Sequence, residues 1–265
     1  MRLVSVWLMT GVLCSVVAGP VSAFDFEQAA RDALANETTS PLPMGPALGI
    51  GAYVAGKSYQ GEDTAIIAVP AVYYRSEQAF VHIKQAAYRF WEKNNMELSV
   101  VGDLRLDSYT EDESDFLLGM KDRNMTIDAG FQFELGTPVG ELELTFLTDI
   151  LFQNEGQEAT VAWALPFIYK RIYLKTSLSA SWLSSNLADY YCGVRASEAT
   201  DDRPAYTVDD TWSWAATLVT NYRLAENWLL IGLLQYEGFS DEIKDSPIIS
   251  EDGEVNVFLG IAYHF

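Results

Sequence analysis

The clearest pattern in the chain is strict alternation of apolar and polar residues. From Thr126 to Leu135, Ile127, Ala129, Phe131, Phe133 and Leu135 form one series, and Thr126, Asp128, Gly130, Gln132 and Glu134 the other. A period of two places the series on opposite faces of a β-sheet. After a turn at 136–140, Leu142, Leu144 and Phe146 alternate with Glu141, Glu143 and Thr145. Ile172, Leu174, Leu178 and Trp182 oppose Lys175, Ser177, Ser179 and Ser181; Trp212, Trp214, Ala216, Leu218 and Tyr222 oppose Ser213, Thr217, Asn221 and Arg223. Further strands are expected at 44–57, 63–75, 78–91, 96–107, 157–169, 227–238 and 254–265. The runs at 63–75 and 78–91 alternate poorly, and Pro70 and Pro166 predict bulges or an interrupted ladder.

The connections are of two kinds. Arg75 to Gln78, Gly136 to Gly140, Lys170-Arg171 and Leu224 to Asn227 are tight; Ser108 to Asn124, Ser184 to Asp210 and Ser240 to Gly253 are long and acidic. This asymmetry fits a bacterial outer-membrane barrel, with short periplasmic turns and longer external loops. The fold class expected is all-β, a single antiparallel transmembrane β-barrel over 44–265. Such barrels have an even strand number. The segments above make an odd set, so a strand is missed or wrongly divided within 44–107; twelve strands are expected, with ten as the alternative. The last strand carries Val257, Leu259, Ile261, Tyr263 and Phe265 on one face and ends on the aromatic Phe265. That pattern resembles the signal read by the barrel-assembly machinery. Trp163, Trp182, Trp212, Trp214, Trp228 and Tyr263 supply rings for interfacial girdles.

The N-terminus reads as an export signal. Arg2 precedes an apolar run from Leu3 to Ala18, followed by Val21-Ser22-Ala23. This is the layout of a secretory signal peptide, with cleavage expected after Ala23. Residues 24–43 are expected to form a periplasmic lead-in. Cys14 lacks a lipobox and leaves with the signal, so Cys192 has no partner for an internal disulfide. The formal charge of −20 argues against nucleic acid, whose phosphates need a basic surface. The expected surroundings are outer-membrane lipid and lipopolysaccharide.

Several motifs carry a family resemblance. They are Gly119-Met120-Lys121-Asp122-Arg123-Asn124, Leu187-Ala188-Asp189-Tyr190-Tyr191 with Gly193-Val194, Arg203-Pro204-Ala205-Tyr206, Asn227-Trp228, Ser240-Asp241-Glu242 and Asp245-Ser246-Pro247-Ile248. The chain resembles the MipA/OmpV family of outer-membrane proteins over roughly 44–265. The resemblance implies a barrel and, by analogy with the name-giving member, a scaffold that joins a lytic murein transglycosylase to a murein synthase. It assigns no role to Gly119, Lys121, Asp122, Asp189, Tyr190, Tyr191, Gly193, Asp245 or Pro247.

Catalytic chemistry is sparse. The two histidines are His82 and His264, and no G-x-S-x-G elbow is present. No enzyme activity, cofactor or metal centre is expected. The acidic clusters at 111–115, 201–202, 209–210 and 251–252 read as solvated loop surface, with divalent-cation bridging to lipopolysaccharide as the sharper alternative. With the apolar faces toward lipid, Asp128, Gln132, Glu134, Glu141, Glu143 and Asp149 point into the lumen, with Arg105, Lys175 and Arg223 as partners. An acidic lumen favours cations. Three functions follow: a murein-enzyme scaffold, a channel for small cationic or polar solutes, and a surface adhesin or antigen using the long loops.

Overall fold

The computed structural model describes residues 40–265 apart from Lys57 and Asp63. The signal segment, its cleavage site and most of 24–43 lie outside the described residues. Twelve antiparallel strands close into one barrel: β1 (Gly45–Ala55), β2 (Ala65–Arg75), β3 (Ala79–His82), β4 (Gln85–Lys93), β5 (Met96–Arg105), β6 (Thr126–Thr137), β7 (Gly140–Asp149), β8 (Gln157–Tyr169), β9 (Ile172–Leu183), β10 (Thr211–Ala225), β11 (Trp228–Phe239) and β12 (Gly253–His264). Each pairs with its neighbours in sequence, and β1 pairs with β12 to close the ring.

The alternation read from the sequence sets the two faces of this wall. On β12, Leu259, Ile261 and Tyr263 are 56%, 38% and 39% exposed, whereas Phe258 and Ala262 are 2% and 0%. Exposed apolar residues recur around the ring, among them Leu48, Ile50, Phe131, Phe146, Leu178 and Leu234. Water would penalise a continuous belt of this kind, and lipid accepts it. Trp228 packs edge-on against Tyr263 at 5.2 Å near the tight-turn end, and Trp214 tilts on Tyr236 at 5.4 Å near the loop end.

The expected run 78–91 is in fact two strands. It turns back at Ile83-Lys84, giving β3 and β4. Ile83 adopts φ 52°, an unfavourable region for a β-branched residue, so nothing in its chemistry announces a turn. Neither proline causes a bulge: Pro70 pairs with Ile50 and Pro166 with Lys175 in unbroken register. Both lie where the ladder on the opposite side has ended. Pairing of β2 with β3 covers only Tyr73–Arg75, and pairing of β7 with β8 stops at Ala164. The register shifts occur instead between Arg89 and Trp91 and between Arg223 and Ala225.

Two apolar cores occupy opposite ends. At the tight-turn end, Ala47, Ala71, Tyr73, Leu229, Ile231 and Phe258 fill one side of the lumen. Residues 40–43 thread into this floor: the Arg75 guanidinium donates to the Leu42 carbonyl at 2.6 Å, the Tyr73 hydroxyl to the Pro43 carbonyl at 2.9 Å, and Arg223 to the Ser40 carbonyl at 3.0 Å. At the loop end, Tyr109, Leu117, Met120, Val194, Ile243 and Ile248 from three loops form a second core.

Candidate functional site: the lumen and its loop cap

Inward-facing side chains enclose a cavity of about 870 Å³ between the two cores. It runs from the β2–β3 turn, at Glu77 and Gln78, to the underside of the loops, at Tyr191 and Cys192. Eleven acidic residues and five basic ones line it, an excess of six acidic residues.

The basic groups are already engaged. Arg105 donates to Asp128 at 2.8 Å and to Glu158 at 2.5 Å; Lys175 lies 2.5 Å from Glu143 and 3.5 Å from Glu141; Lys84 is 3.2 Å from Asp103. These contacts join lumen carboxylates to Arg105 and Lys175 as the strand pattern predicts. By contrast, Glu237 and Glu254 stand directly opposite each other across β11 and β12, both facing the cavity. Like charges in that relation repel. Asn256 donates to Glu254 at 2.6 Å and Ser58 at 3.1 Å, while Asn256 itself accepts from the Tyr53 hydroxyl at 3.0 Å. The result is a carboxylate pair held in place by neutral donors. Farther round the ring, β8 and β9 line the lumen with hydroxyls, including Thr160 and Ser181, which are 2.7 Å apart.

Asp149 and Arg223 take partners other than those expected in the lumen. Asp149 organises the β7–β8 loop, accepting backbone N–H bonds from Leu151, Gln153 and Asn154 at 2.8, 2.6 and 2.8 Å. Arg223 binds the backbone carbonyls of Ser40 and Glu226 at 3.0 Å each. His82 reaches across the barrel to Asn221, 3.0 Å away, and so closes part of the floor. His264 faces inward beside the Met44 carbonyl at 2.8 Å.

The residues of unassigned role gather in the cap over the external mouth. Arg123 is its centre. Its guanidinium pairs with Glu198 at 3.1 Å, with side chains 1% and 2% exposed, and lies between the rings of Tyr109 and Tyr190 at 5.6 and 5.5 Å. It also donates to the carbonyls of Lys121 at 2.6 Å and Tyr190 at 2.5 Å. Glu198 accepts in turn from the backbone N–H of Lys121 at 3.1 Å and of Arg195 at 3.0 Å. Burial alone would raise the Glu198 carboxyl, but the donors from Arg123, Arg195 and Lys121 outweigh it and hold it below the usual glutamate value.

Gly119 takes φ +85° and donates to Glu111 at 3.0 Å; Asp122 accepts from the Glu111 N–H at 3.1 Å. A short helix, α1 (Ser185–Cys192), presents Asp189 to the Val208 N–H at 3.0 Å. A Cβ at Gly193 would fall 2.3 Å from that same carboxylate. The Tyr190 hydroxyl accepts from the Asn124 N–H at 3.0 Å, and the Tyr191 hydroxyl donates to the Asn124 carbonyl at 3.1 Å. A further helical turn, α2 (Asp241–Lys244), ends at Asp245, and Pro247 follows between the buried Ser246 and Ile248. Arg203 opens the Arg203-Pro204-Ala205-Tyr206 motif. It clamps the cap by donating to the carbonyls of Phe116, Leu118 (3.2 Å) and Glu198 (2.8 Å). The cap's signal was the motifs themselves, but their spacing could not show that they meet. On the barrel, Val257, Leu259, Ile261, Tyr263 and Phe265 all lie on the outward face.

A closed antiparallel barrel with a lipid-facing apolar belt, interfacial aromatics and one end of short turns is an outer-membrane β-barrel protein. The sequence pattern of the "MltA-interacting protein MipA" family matches residues 48–265, and the chain belongs to that family. It is similar to the MltA-interacting protein of Escherichia coli (strain K12), with 27% identity covering 82% of this chain and 89% of the relative. It is also similar to the outer membrane protein Omp26La of Vibrio anguillarum, 25% identical over 82% of this chain and 85% of that protein. Among solved structures, an outer membrane channel from Pseudomonas putida F1 aligns with TM-score 0.41 and 10% identity over 87% of this chain and 98% of its own.

Proposed function

We propose that the barrel binds small cationic solutes in its acidic lumen and passes them across the outer membrane when the loop cap opens. The observation that carries this reading is the excess of six acidic residues in the lumen, with Glu237 and Glu254 facing each other. A cation entering between them relieves their repulsion, and a low-dielectric wall strengthens the attraction. The test is single-channel recording in planar bilayers under a salt gradient. Cation preference that falls in Glu237→Gln and Glu254→Gln supports the reading. Absence of conductance, or anion preference, overturns it.

A second reading is a scaffold for a murein-degrading enzyme. It is favoured by the name of the Escherichia coli relative, an MltA-interacting protein. The turns at the tight-turn end, such as Pro138-Val139 and Lys170-Arg171, offer little docking surface; residues 24–43 would have to supply most of it. Crosslinked pull-down from native envelopes tests this. Recovery of a lytic transglycosylase or murein synthase, lost when 24–43 is altered, supports the scaffold. Recovery of lipopolysaccharide and the assembly machinery alone counts against it.

A further inference from the structure

Among the described residues, the closed ring of strands leaves a gap in the wall. β2 has eleven residues and β3 only four, so pairing between them covers Tyr73–Arg75. From Ala65 to Val72, β2 is paired to β1 at every position and, among the described residues, to nothing on its other side. That leaves about 26 Å of strand edge at the usual rise per residue. The opening has a complete frame. Its sill is the Ile83-Lys84 turn, tied to β5 by the Leu104 N–H donating to the Lys84 carbonyl at 2.9 Å. Its roof is the contact between two loops, where the Ser114 hydroxyl donates to the Gln60 carbonyl at 2.7 Å and Tyr59 packs edge-on against Tyr109 at 4.6 Å.

This window faces lipid. Opposite Pro70 and Val72, Ile50 and Leu48 of β1 are 62% and 53% exposed on the outward face. Free backbone N–H and C=O groups at hydrocarbon depth are costly and are tolerated where they border a water-filled cavity. The cavity reaches this place, because Ile67, on the unpaired stretch, lines it. From Ile67 the route inward is short. Tyr53 pairs with Ile67 across β1 and β2, its hydroxyl donates to Asn256, and Asn256 donates to Glu254, opposite Glu237.

We propose that this window is a lateral portal between the membrane and the lumen, and that it admits amphiphilic organic cations. The apolar body lies among Ile66, Ile67 and Val72 while the charged head reaches Glu254 and Glu237. The ligand class follows from charge complementarity: an apolar frame opens directly onto a carboxylate pair. The inference rests on reading the acidic lumen as a cation site, and the test separates the two.

The protein is placed in phosphatidylcholine vesicles with a fluorophore on Ser179→Cys in a Cys192→Ser background, so that the label reports the lumen. Two probes with the same headgroup are compared, dodecyltrimethylammonium and tetramethylammonium. The long-chain cation is expected to move the label at several-fold lower concentration. Ile67→Trp, which fills the window, is expected to abolish that advantage and leave the tetramethylammonium response intact. A separate measurement needs no ligand: a fluorophore on Ile67→Cys is expected to be quenched by lipids with brominated acyl chains, and one on Ser179→Cys is not. If tetramethylammonium responds and the alkyl chain brings no advantage, or if the Ile67 label escapes quenching, the portal is overturned and the acidic lumen stands. If neither cation moves the label, both readings fall.

Discussion

Arg123 and Glu198 decide whether the cap holds. Each is almost wholly buried, and breaking a buried pair by removing one partner typically costs about 3–5 kcal/mol because a charge is left stranded. Arg123→Ala is therefore expected to loosen the cap without touching the barrel. The check is limited proteolysis of residues 184–210 in intact cells, with heat-modifiability on a gel unchanged. The pH dependence has a definite sign. The Glu198 carboxyl is held below its ordinary value of 4.5, so its contribution is present above that pH and is lost as pH falls through the depressed value. Cap proteolysis is expected to rise below about pH 4.5 with an acid-stable protease, and in Glu198→Gln to be high at neutral pH and to lose this acid-induced rise. Cys192 is a built-in reporter of the same event. Burial and the nearby Asp107 push its thiol well above the usual range, so it stays protonated and slow toward maleimide. Labelling is expected to accelerate in Arg123→Ala; equal rates in both proteins would mean that the pair does not hold the cap.

At the scale of elements, the closing seam between β1 and β12 is tightly constrained. A Cβ at Gly49 would lie 1.8 Å from the Ile261 carbonyl oxygen, closer than any packing adjustment of β12 can absorb. Gly49→Leu is expected to prevent closure, seen as loss of the heat-modifiable form. On the lipid face of β12, Leu259→Lys places a charge in hydrocarbon, at a cost of about 2–4 kcal/mol near the midplane. A lysine at the lumen-facing Gln235 avoids that cost, so urea unfolding should separate the two variants. Strands such as β6, β10 and β12 were legible because one face meets lipid and the other the lumen, which forces strict alternation. β3 and β4 were not, because their hairpin ends inside the wall at Ile83, with none of the Gly or Asn that usually permits positive φ. The cap was illegible for another reason. Arg123 and Glu198 are paired by loops far apart in sequence, and periodicity carries no information about which loops meet.

For the whole molecule, the question is where passage through the barrel is limited. The tight-turn end is narrowed on one side by Tyr73, Phe258 and the threaded residues 40–43, but the cavity continues past them beside Glu77 and Gln78. The loop end is closed by a packed apolar core under three loops. The cap is therefore the tighter barrier and, being built of loops, the one able to open on the microsecond-to-second scale of lid motions. Arg123→Ala is expected to raise open-state occupancy several-fold in planar bilayers while the cation preference stays unchanged, because the lumen carboxylates that set it are untouched. Truncating Tyr73 to alanine is expected to change conductance far less. The opposite ranking would place the gate in the floor, and would make residues 40–43, which enter at the tight-turn end, the moving part.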